Sequence, residues 1–119
     1  MPLLKGSDML SNIKGYCEQL VRRFPDLETV LAEHVANNDD ILPHVFMGEV
    51  TRYVLSDPPS RKNLVSYLEN SLLEGAADIQ ELIAVSFVEN LQGRTELERA
   101  LKDVTGEGLR KEWHHLNGQ

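Results

Sequence analysis

The chain has 119 residues, 41% hydrophobic and 26% charged, with 19 acids against 12 Lys and Arg and a net charge of −7. That length supports one domain with a single core, spanning 1–119. The acidic balance argues against a nucleic-acid binder, whose phosphate contacts need clustered Lys and Arg, and no apolar run approaches the roughly 20 residues of a membrane span.

The hydrophobic pattern has a helical period almost throughout. Ser7 is placed to cap a first helix, with Leu10, Ile13, Cys17, Leu20, Val21 and Phe24 as its apolar stripe. Pro25 and Asp26 break it and start a second helix bearing Leu27, Val30, Leu31, His34 and Val35, which ends at the polar turn Asn37–Asp40. Pro43 suits the first turn of a third helix carrying Phe46, Val50, Tyr53 and Val54, and Asp57-Pro58-Pro59 stops it.

Ser60 is expected to cap a fourth helix with Leu64, Val65, Leu68 and Leu72 on one side; Gly75 breaks the chain after it. A fifth helix from about Asp78 to Leu91 has apolar residues on more than one face, which predicts a central helix packed on two sides. Gly93 ends it. Thr95 and Glu98 read as a capping box for a sixth helix with Leu97, Ala100, Leu101 and Val104. Gly106 and Gly108 precede a short last helix with Leu109, Trp113 and Leu116. No segment alternates with period two for long. The expected fold is therefore all-α, a compact bundle or a short HEAT-like stack of six to seven helices, the fourth and fifth reading like one hairpin of such a stack.

Candidate chemistry is sparse. Cys17, the one cysteine, excludes an internal disulfide and fits a reducing cytoplasm; in mid-stripe it reads as a buried, inert thiol. The segment Met1–Lys5 is too short for the apolar stretch of a signal peptide. His114 and His115 with Glu112 have the residue types of a metal site, but adjacent histidines point to different sides of a helix and no third ligand follows at a usable spacing, so no metal and no cofactor is expected. His34 lies at the centre of its helix's apolar face and Glu49 inside the arc of Val45, Phe46, Val50 and Tyr53. A buried carboxylate there needs a partner such as His34, Arg52 or a tyrosine hydroxyl, forming either a structural network or half of an acid–base pair.

The charge distribution is more informative. From Phe24 to Thr51 there are six acids and no Lys or Arg; from Asn63 to Gly93 there are five more acids and again no cation. Ordinary solvated helices mix signs and gain from Glu–Lys pairs four residues apart. On the fifth helix Asp78, Glu81, Val85, Glu89 and Gln92 recur at spacings of three and four and share an edge; on the fourth, Glu74 lies off the leucine stripe and Glu69 borders it. Glu69, Glu74, Asp78, Glu81 and Glu89, with Asp39 and Asp40 in the second turn, are the candidate contacts for a basic partner.

Two segments resemble a known group. Leu42-Pro43-His44-Val45-Phe46-Met47-Gly48-Glu49-Val50 resembles an "LPH…G(D/E)" segment, and Leu72 to Leu91 resembles an apolar helix ending in "SF(V/L)ENL", here Ser86-Phe87-Val88-Glu89-Asn90-Leu91. The segments resemble those of a group of small helical bacterial proteins, some of which are similar to the immunity proteins of polymorphic toxin and contact-dependent growth inhibition systems. The resemblance covers roughly residues 42–92. It implies a cytoplasmic protein that binds and blocks one cognate toxin domain, and it carries no catalytic residues over to this chain. A nuclease toxin would supply the basic cleft that an acidic inhibitor fills. A helical adaptor for another basic partner is the alternative, and an enzyme using Glu49 and His34 a third.

Overall fold

The computed structural model describes residues 5–118, with side chains described from Asn12 onward. Helix α1 (Lys5–Arg23) ends at Phe24, where Pro25 opens a 3-10 turn, Pro25–Leu27, leading directly into α2 (Glu28–Asn38). Ser7 falls within α1, so it is not the cap, and its side chain lies outside the described set. Asp39 stops α2 in the left-handed region, φ 65°, a conformation that aspartate tolerates better than most residues. Helix α3 (Pro43–Leu55) has the expected proline in its first turn.

Helix α4 (Arg61–Glu74) begins after Ser60, but the Ser60 side chain does not cap it; its hydroxyl donates to Asp26 Oδ2 instead. Helix α5 (Ala77–Glu81) continues as a π-helical segment, Leu82–Val88, and α6 (Gly93–Ala100) and α7 (Glu107–Leu116) complete the chain. The capping box expected at Thr95 and Glu98 does not form, because α6 starts earlier. Glu96 Oε1 accepts the Gln92 amide at 2.8 Å, and Glu98 pairs with Arg110.

Among the described residues seven helices enclose one continuous core, to which α2 and α5 add only partly buried hydrophobic side chains such as Val30, Leu31 and Ile79. Its centre is the π segment, whose Leu82, Ile83, Ser86, Phe87 and Val88 are buried and which packs mainly on α3 and also on α4 and α7. The apolar residues on several faces thus mark a central element, as expected. The wide winding leaves carbonyls without their usual helical partners, and side chains take them up. Thr51 Oγ1 lies 3.0 Å from the Phe87 carbonyl, Asn90 Nδ2 donates to the Ser86 carbonyl, and Arg52 donates to the Asn90 carbonyl.

Two charged side chains fix the later helices. Arg61 is buried; it donates to Asp57 Oδ1 and to the Ala100 and Lys102 carbonyls at 2.9 and 2.8 Å, closing the end of α6. Glu69 is also buried, and accepts the Gly108 and Leu109 amides at 2.7 and 2.9 Å. It thereby caps α7 from another helix.

Candidate functional site

The predicted acidic contacts divide into four groups. Glu74, Glu81 and Glu89 are exposed, on the end of α4, on α5 and just beyond the π segment. The α4–α5 connection is held by Gln80 Nε2 donating to the Leu72 carbonyl at 2.8 Å, which keeps Glu74 and Glu81 on one corner of the molecule. Although the winding changes after Glu81, the positions 81, 85 and 89 are all exposed, so the edge read from the sequence persists.

Asp78 is half-buried. Its Oδ1 accepts the Ile79 amide and its Oδ2 is buried without a hydrogen bond among the described residues. Asp39 and Asp40 sit on the α2–α3 turn, a different element, where Asp40 pairs with Lys14 of α1 at 2.9 Å. That contact, with the Ile41 amide, holds the Asp40 carboxyl below its ordinary titration range. Glu69 corrects the expectation outright. Its carboxylate points inward to α7 and offers no surface to a partner. A position bordering the leucine stripe was compatible with either side, and the N-terminal amides of α7 decided it.

The Glu49 expectation is half corrected. His34 is the partner, with Nδ1 3.0 Å from Glu49 Oε1, but the Glu49 side chain is 38% exposed rather than buried. The Leu42 amide donates to His34 Nε2 at 2.9 Å, which assigns the ring hydrogen to Nδ1 and directs it at the carboxylate. His34 thereby ties the α2–α3 turn to both helices, with Phe46 edge-on to its ring. The pair lines a shallow groove with Glu33, Arg52 and Tyr53.

The two segments that carried the resemblance cross each other. His44 Nδ1 is hydrogen-bonded to Ser86 Oγ, and a Cβ at Gly48 would stand 3.0 Å from Asn90 Nδ2. Gly48 therefore lets the Asn90 side chain lie close against α3 while it holds the Ser86 carbonyl. A serine–imidazole pair has nucleophile–base components, but Ser86 is buried and no carboxylate orients the other ring nitrogen among the described residues. Sequence reading missed this pairing because the two residues are 42 positions apart; the helical period placed Ser86 on no distinct face.

The remaining candidates are soon placed. Cys17 is fully buried, and that burial, with Glu18 nearby, pushes its thiol up to about 12. His114 packs edge-on to Trp113, and among the described residues no group of three or more His, Cys, Asp or Glu is arranged to hold a metal ion. No helix among the described residues is long and apolar enough to cross a membrane.

A family model described as a domain of unknown function (DUF7674) matches residues 17–118. No curated protein and no solved structure matches.

Proposed function

The chain belongs to the DUF7674 family, and we propose that this member is an immunity protein: it binds a cationic toxin domain in the cytoplasm and blocks it stoichiometrically, without catalysis. The observation that carries this reading is the ion-pair pattern. The pairs with Lys or Arg found among the described residues take up Asp40, Asp57, Glu96 and Glu98, while Glu49 is hydrogen-bonded to the His34 ring. Glu74, Glu81 and Glu89 are exposed on a stretch from Asn63 to Gly93 that contains no Lys or Arg, and none of them belongs to such a pair. Like charges left uncompensated repel one another, and an oppositely charged partner relieves that repulsion while being steered toward it. A nuclease toxin, with a basic cleft for phosphate, has the complementary field.

The test is reversal of Glu74, Glu81 and Glu89 to Lys, in a pull-down and growth-protection assay with the product of the gene adjacent to this one. The folded triple variant should neither bind nor protect. Undiminished binding would move the interface elsewhere, and absence of binding by the unaltered protein would end the immunity reading.

A further inference from the structure

The acidic corner borders an apolar groove. It runs between the α4–α5 connection and α7, with Leu73, Gln80, Glu81, Ala84, Lys111 and Glu112 among its walls. Leu73 is 57% exposed, the most exposed large hydrophobic side chain described. It is not a free arm: a Cβ on Gly108 would lie 2.9 Å from Leu73 Cδ2, so the leucine leans on the first turn of α7 just where Gly108 leaves room. The backbone under it is fixed from below by Glu69, whose carboxylate holds the Gly108 and Leu109 amides. A water-facing leucine beside Ala84, with Glu81, Glu112 and Lys111 at the margins, makes an apolar patch with a net anionic edge.

Building on the binding function proposed above, we infer that this groove is the anchor point for the partner, and that it receives an aliphatic side chain flanked by Arg or Lys on the partner's surface. The charge pattern selects that occupant. An apolar segment with acidic flanks would meet Glu81 and Glu112 at close range, where like charges are repulsive; a basic flank meets two carboxylates and one opposing cation, Lys111. The two kinds of contact act on different rates. Exposed carboxylates speed encounter, whereas the desolvated leucine slows release.

That separation supplies the test. Binding kinetics are measured with the purified product of the adjacent gene, using Leu73→Ser and Lys111→Glu, both at exposed positions. Leu73→Ser should speed dissociation roughly tenfold or more and leave association nearly unchanged, as loss of a buried leucine contact predicts. Lys111→Glu should raise the association rate severalfold at low salt. Dissociation unchanged by Leu73→Ser, with the unaltered protein still binding, overturns the anchor while leaving the acidic interface standing. Association slowed by Lys111→Glu overturns the basic flank. No binding by the unaltered protein overturns the binding function itself, and the anchor with it.

Discussion

Glu69 shows how much one side chain's direction decides. Its neighbour in the charge pattern, Glu74, faces water, while Glu69 is turned onto the two free amides at the start of α7. Charge-assisted hydrogen bonds of this kind contribute about 1.5–3 kcal/mol, and truncation leaves both donors without a partner. Glu69→Ala is therefore expected to destabilise the fold by about 3 kcal/mol, against no more than about 0.5 kcal/mol for Glu74→Ala. Denaturant midpoints of the two variants check this, and equal small shifts would refute the cap. Asp26 gives a pH counterpart. Burial tends to raise its carboxyl, but hydroxyl donation from Ser60 and from Tyr53, the latter at 2.6 Å, outweighs that and holds it below its ordinary range. The same bond to Asp26 raises the Tyr53 phenol to about 12. A depressed acid stabilises above its unfolded titration range and loses that contribution as pH falls through the folded one; a raised phenol stabilises below about 10 and loses it as pH climbs toward 12. Tyr53→Phe should consequently be less stable than the parent at neutral pH, the gap closing at both extremes of a pH series of denaturant midpoints.

Among the elements, the π segment sets the rest in place. Phe87 is fully buried where α3 lies across it, and Phe87→Ala is expected to lower stability by ~3–5 kcal/mol, because neighbours held by so many cross-links relax little into the cavity. A midpoint shift no larger than that of an exposed control would show the segment to be peripheral. The existence and order of the helices were legible in the sequence, since each has a stripe at helical spacing and a Pro, Gly or Asp at its ends. The π winding was not legible: Leu82–Val88 is apolar on most faces, and a pattern without a polar side cannot distinguish one period from another. The capping chemistry failed for a related reason. Ser60 and Glu98 are good local capping residues, but Asp26 and Arg110 offered their side chains tertiary bonds that local pattern does not record, and α6 starts ahead of Thr95. At the acidic surface, Glu81 and Glu89 were readable from spacing, whereas Glu69 and Glu49 depended on where α7 and α2 came to lie.

Along the sequence two long blocks of acids contain no Lys or Arg, and that distribution predicts a kinetic signature. Association with a basic partner should slow as salt rises from low to physiological strength, where fields are screened beyond ~8 Å, while dissociation changes little. An association rate indifferent to salt would remove the role of the uncompensated acids. Cys17 offers a different view of the same whole. As the chain's one thiol, set against the core on α1 and titrating near 12, it can meet an alkylating reagent only when that helix leaves its neighbours. Mass-spectrometric labelling of a single site would then count openings of the fold directly, at a rate roughly a thousandfold or more below that of the unfolded chain. Saturation with a partner docked on α4, α5 and α7 should slow the labelling further, so that an unreactive side chain buried in the core becomes the reporter of binding.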